Sequence, residues 1–165
     1  KYDGPYFLIR AMMRSPRWLR LPRVGAGEAR VNLVPIDFVV DAMVAIADQE
    51  DAGGRVYQLA DPNPMRARDL IDELTKILDR RMPIGSVSPR LVTRLLSVPS
   101  IRRAVGIPAE AVTYFNHPVQ YDVTNTLTAL LDTTIRCPHA STYLRRMVDY
   151  VYRNPNKFFL DGRRL

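Results

Sequence analysis

At 165 residues, with 47% apolar and 25% charged side chains, the chain can bury one hydrophobic core and is not a disordered tail; it fits one domain or part of a larger one. A single cysteine, Cys137, excludes an internal disulfide framework and suits a reducing cytoplasm. No apolar run approaches the ~20 residues that span a bilayer. The net charge of +7 invites a polyanion. Its arginines recur at Arg14, Arg17, Arg20 and Arg23 around Trp18, and as Arg80-Arg81, Arg102-Arg103, Arg145-Arg146 and Arg163-Arg164. A solvated face ranks first for them, the phosphates of a small ligand second, and nucleic acid third, since no helix-turn-helix, zinc or RNA-binding signature accompanies them.

Lys1-Tyr2-Asp3-Gly4-Pro5 carries no signal-peptide pattern, lacks Met and opens on a turn, so it reads as an internal cut. Tyr6 to Met13 then predicts a short helix that ends before Ser15-Pro16. Trp18 to Pro22 and Ala29 to Val34 are extended stretches, and Gly25-Ala26-Gly27 between them suits the turn of a hairpin. A strand follows this glycine pair, whereas a dinucleotide fingerprint follows a strand and opens a helix.

Val31 to Pro35 leads into an acidic helix start at Asp37, whose carboxylate is placed to cap free backbone donors. Phe38, Val39, Val40, Ala42, Met43, Ala45, Ile46 and Ala47 cover almost the whole circumference of that helix, which predicts burial on both sides. Asp51-Ala52-Gly53-Gly54 makes a loop into a second short strand, Val56 to Leu59. Pro62-Asn63-Pro64 breaks the chain before a helix over Arg66 to Asp79. There Leu70, Ile71, Leu74, Ile77 and Leu78 form one apolar stripe, and Asp72 can pair with Lys76 on the wet face. Strand and helix alternating in this way predict an α/β protein.

After Pro83 the strand signals fade and prolines divide short helices. Ser88-Pro89 and Ile107-Pro108 each place proline at a helix start. Leu127, Leu130 and Leu131 make a short stripe, and Ser141 to Tyr152 a final helix burying Tyr143, Leu144, Met147, Val148 and Val151. Two segments are expected, 1–82 and 83–165, the second mostly helical.

No complete catalytic constellation appears, and no catalytic residue, cofactor-binding residue or metal ligand is assigned. His117 and His139 each abut a proline, and Cys137-Pro138-His139 is poorly placed for mutual activation. One cysteine cannot build a Cys-based zinc site. Polar-tipped aromatics in the irregular part, Tyr114, Phe115 and Tyr121, together with His117, are the candidate lining of a substrate cleft, with burial in a core the plainer alternative.

Three stretches carry a family resemblance: Lys1 to Tyr6, Val31 to Ala42, and Gly54 to Asp61 with its following helix. They resemble the C-terminal half of an extended short-chain dehydrogenase/reductase, closest to the fatty acyl and thioester reductase branch and sharing features with NAD-dependent sugar-nucleotide epimerases. Tyr114 to Asp122 and Cys137 to Tyr143 match more loosely. The resemblance implies the C-terminal part of a Rossmann-type parallel sheet with a small, mostly helical substrate lobe. It implies NAD(P), held mainly by an N-terminal half that lies outside this chain, with the glycine-rich loop and the Tyr-x-x-x-Lys pair. No tyrosine here has lysine four residues on.

The implied substrate is an acyl thioester, or else a nucleotide-sugar. The alternatives are a non-catalytic NAD(P)-sensing or protein-interaction module of the same fold, and a salt-sensitive nucleic-acid binder. Without a neighbouring half, the chain is expected to be inactive, to expose an apolar edge and helix face, and to self-associate.

Overall fold

The computed structural model describes residues 4–20, 22–101 and 119–155. Helix α1, Pro5–Arg14, opens with proline at its first position, where the missing N–H is no loss, and buries Ile9 and Met12. Strands β1, Arg23–Val24, and β2, Arg30–Val31, follow, and then helix α2, Ile36–Ala47. Strand β3, Met65–Arg66, leads directly into helix α3, Ala67–Ile77. Strand β4, Ser86–Val87, precedes helix α4, Pro89–Leu96, which again starts on proline. Helix α5, Thr124–Ala129, and a 3-10 turn over Ala140–Thr142 lead to helix α6, Leu144–Arg153. None of the described helices is long and apolar enough to cross a membrane.

The fold is α/β, and β1 pairs in parallel with β4, Arg23 opposite Ser86 and Val24 opposite Val87. A parallel pair needs a long crossover, and α2 and α3 lie within it. The expected hairpin between the stretches on either side of Gly25-Ala26-Gly27 does not form. β1 goes to β4 instead, while β2 pairs antiparallel with β3, Arg30 opposite Arg66 and Val31 opposite Met65. The glycines still make the turn, with φ of 67° at Gly25 and 70° at Gly27. At Gly27 the reason is also steric. A Cβ there would meet Arg68 Cβ at 2.7 Å, because the Gly27 carbonyl accepts the Arg68 N–H at 3.0 Å and draws α3 against the turn.

The expected strand Val56 to Leu59 does not form: the segment joins no ladder among the described residues. Two of its carbonyls are satisfied from α5. Asn125 Nδ2 donates to Val56 O, and the buried Thr126 Oγ1 donates to Gln58 O, each at 2.9 Å. Gln49 Nε2, just past α2, donates to Ala129 O at 2.7 Å and ties the same pair of helices together.

Two apolar cores result. The first joins Ile9 and Met12 of α1, Val31 and Leu33, Ala67, Leu70 and Leu74 of α3, and Ala140, Leu144, Val148 and Val151. The second joins Phe38, Ala42 and Ile46 of α2 to Leu130, with Tyr57, Leu59 and Cys137 packed beside them. Here two expectations fail. Helix α2 is buried on one face only, since Ile36, Val40, Met43 and Val44 are exposed. Of the Leu127, Leu130 and Leu131 stripe only Leu130 is buried, because α5 ends at Ala129 and the chain turns before Leu131.

Polar side chains depart from expectation in two further places. Asp37 lies in the first turn of α2 but makes no capping hydrogen bond and is exposed, so its contribution is to the helix dipole alone. Asp72 pairs with Arg23 rather than Lys76. Both Asp72 oxygens accept from Arg23 Nη2 at 2.8 Å, and Lys76 turns to Glu73. The basic residues are therefore partly neutralised: Arg17 pairs with Asp79, and Arg66 and Arg68 converge on Glu28. Arg80 has a different task. Its guanidinium donates to the Met13 and Ser15 carbonyls and so caps the end of α1.

Candidate functional site

The polar concavity of interest forms where β2, the loop after Leu59 and the stretch before α5 converge. Asn32 follows β2, and its side-chain oxygen accepts the backbone N–H of Asp61 at 3.2 Å. Asp61 Oδ1 accepts the Asn63 N–H at 2.8 Å, which is the local turn that Pro62-Asn63-Pro64 favours. Arg30 Nη1 donates to the Pro64 carbonyl at 3.0 Å. These bonds hold the loop Asp61 to Pro64 against the end of β2. Between them lies a cleft of about 150 Å³, lined by Arg30, Asn32, Asp61, Asn63, Gln120 and Tyr121 with Pro62, Pro64 and Val119.

Asp61 is 4% exposed, and its Oδ2 has no hydrogen-bond partner among the described residues. Arg30 has no acidic partner among the described residues. A second concavity of about 320 Å³, along Ala26 to Arg30, shares Arg30, Val119 and Gln120 with the first, so the two form one groove.

Behind Asp61 are two further titratable groups. Burial, and then the negative charge of Asp61, push the Cys137 thiol up from its ordinary 9.0 to about 11. Tyr143 is pushed up as well, first by burial and then by Cys137 and Asp61; its hydroxyl donates to Leu33 O at 2.9 Å. Both shifts favour the neutral form of the group. His139 Nδ1 meets Ser141 Oγ at 2.8 Å in a local turn. Next in sequence to Tyr121, Asp122 Oδ1 accepts from Thr124 Oγ1 and Thr124 N–H, which lowers its pKa and starts α5.

Of the four residues expected to line a substrate cleft, Tyr121 is 52% exposed and lines this one. Tyr114, Phe115 and His117 lie outside the described residues. The sequence reading passed over Arg30, Asn32 and Asp61. A signal was available for Asp61, an acid at the end of an apolar run and directly before proline, where the chain must turn and expose polar groups to one another. No group of His, Cys, Asp and Glu among the described residues could hold a metal ion.

No protein-family model and no curated protein matches the chain. Among solved structures, it is similar to the terminal R domain from the myxalamid PKS-NRPS biosynthetic pathway, with a TM-score of 0.60 and 22% identity. The similarity covers 92% of this chain and 40% of that one. This chain therefore spans less than half the length of the structure it matches, and what the two share is the fold.

The Gly25-Ala26-Gly27 turn leaves no room for a pyrophosphate: at Gly27 the space is filled by Arg68 N, Cα and Cβ within 3.3 Å. The helix start beside it is already occupied by its own strand-to-helix hydrogen bonds, Ala67 N–H to Ala29 O and Arg68 N–H to Gly27 O.

Proposed function

We propose that this chain is the substrate-side portion of an oxidoreductase similar to thioester reductases, working beside NAD(P) that is held by residues outside it. The observation that carries this reading is the fold correspondence with a terminal R domain over 92% of the chain but only 40% of that domain. Two features of the fold agree with it. The segment Val56 to Leu59 has its Val56 and Gln58 carbonyls bonded to side chains of α5 and belongs to no ladder among the described residues, which leaves it open to pairing with a neighbouring half. Beside it, Val56 is 71% exposed, and Ile36, Val40, Met43 and Val44 of α2 are exposed apolar side chains on a face that also carries Asp37 and Asp41.

In this reading the nucleotide-binding half packs on that face. Segment 83–165 is the substrate lobe, its last helix returning to α1 and α3, and Tyr114, Phe115, His117 and Tyr121 belong to the substrate side. The cofactor supplies the hydride when bound; this chain's own residues bind and orient the substrate and keep water from it. The substrate is an acyl thioester. A soluble protein working in the cytoplasm fits the lone, protonated cysteine.

The test is turnover by the protein that the intact reading frame encodes. NADPH oxidation with an acyl thioester, and none with a nucleotide-sugar, is the expected result. Dinucleotide binding without turnover of either substrate would assign the chain to a sensing module of the same fold.

A further inference from the structure

Building on the substrate-side reading, we infer that Asp61 and Arg30 are a specificity-determining pair that holds a neutral polar group of the substrate, one carrying a hydrogen-bond donor beside an acceptor, as an amide or a vicinal diol does. The cleft residues are already fastened to one another. Asn32 holds the Asp61 backbone, Asp61 Oδ1 holds the Asn63 backbone, and Arg30 Nη1 holds the Pro64 carbonyl. Two capacities are left over. Asp61 Oδ2 can only accept, is buried and lacks a donor. The Arg30 guanidinium can only donate, has five N–H groups and bonds one carbonyl, with no ion pair among the described residues.

A buried carboxylate oxygen without a donor is costly, and at the wall of a cleft a ligand donor is one partner that can satisfy it. One donor for Asp61 and one acceptor for Arg30 define the ligand group. A second anion is disfavoured by Asp61 and a cation by Arg30, so the group is neutral. A cavity of about 150 Å³ has room for a ring-sized moiety. The adjoining groove along Ala26 to Arg30 lets the rest of an elongated ligand continue past Gln120.

The experiment is NMR titration of the full chain with two probes, pantetheine for the amide and methyl glucoside for the diol, and with acetate as an anionic control. The backbone amides of Arg30, Asn32, Asp61 and Asn63 are expected to shift with one neutral probe and not with acetate; which probe does so identifies the source. Asp61→Asn keeps an acceptor for Asn63 N–H but replaces the free acceptor with a donor. It should weaken that probe by about ten- to hundredfold while leaving the melting temperature equal or higher. Arg30→Gln, at an exposed position, should weaken it by about tenfold with the fold intact.

The inference is overturned if neither neutral probe shifts these amides at millimolar concentration. It is also overturned if acetate binds as well as they do, or if both variants bind like the wild type. An internal water as the partner of Asp61 would show as a lowered melting temperature in Asp61→Asn with unchanged probe affinity, and that result also overturns it. Binding is read without turnover, so failure of the reductase reading leaves this result standing, and the reverse.

Discussion

The two cores of this molecule are made of similar residues and end differently. Around Leu70 and Leu74, helices α1, α3 and α6 close on one another, and α1 is sealed at its end by Arg80. Around Phe38 and Ala42, helix α2 meets α5 and the Val56 to Leu59 segment on one face and leaves Ile36, Val40, Met43 and Val44 exposed on the other, among Asp37 and Asp41. Among the described residues the first core is closed on all its helices, while the second leaves apolar side chains of α2 exposed beside it. The difference separates a region whose apolar surface is used from one whose apolar surface is not.

Substitutions can break that contrast or sharpen it. The largest effect is expected in the closed core. Leu74→Ala removes a side chain with no exposure and should cost about 2–5 kcal/mol in urea unfolding, whereas Met43→Ala on the bare face of α2 should stay within about 0.5 kcal/mol. Equal losses at the two sites would show that α2 is covered in solution. Gly27→Ala, which demands a positive φ and collides with Arg68 at the foot of α3, should cost about 1–3 kcal/mol in the same measurement.

Smaller again is Thr126→Val, which removes the hydroxyl that satisfies Gln58 O; about 1 kcal/mol is expected, together with faster hydrogen exchange along Val56 to Leu59. The last effect is one of pH. The Cys137 thiol is raised above its unfolded value, so the folded state binds more protons between the two. The stability it contributes is complete below pH 9.0 and is lost as pH rises through about 11. Cys137→Ser should flatten the alkaline limb of a stability profile in that window, leaving the part due to Tyr143. A double substitution on the open core, Val40→Lys with Met43→Lys, should leave unfolding nearly unchanged but shift sedimentation toward monomer.

The sequence exposed the closed core more fully than the open one, for a physical reason. The 3.6-residue stripe of Leu70, Leu74 and their neighbours, and that of Leu144, Val148 and Val151, belong to helices whose apolar sides are all used within the chain. In α2 the apolar residues run nearly all round. Periodicity predicts total burial there and cannot say which neighbour supplies it. Strand pairing was also beyond local signals: glycines at 25 and 27 specify a turn, but whether β1 joins β2 or the distant β4 is decided by long-range packing.

Tyr121 stands out in the sequence as an aromatic with a polar tip in an irregular stretch, and it lines the cleft. Asp61 does not stand out, since an acid before proline looks like any turn. Only its burial and its unmet oxygen distinguish it.

The return of α6 to α1 and α3 has a consequence for how the molecule can change. Residues 80–139 leave from the end of α3 and come back at the 3-10 turn before α6, so both ends of this excursion are fixed on one finished core. Closing such an excursion costs entropy that grows only with the logarithm of its length, about 0.6 kcal/mol for each doubling. Length changes between these anchors are cheap in entropy where they spare Arg80, strand β4, Asn125, Thr126 and Leu130, which bond or pack onto the rest of the fold. The architecture offers one support, α1 with α3 and α6, that can stay folded while the length of chain strung between its ends varies.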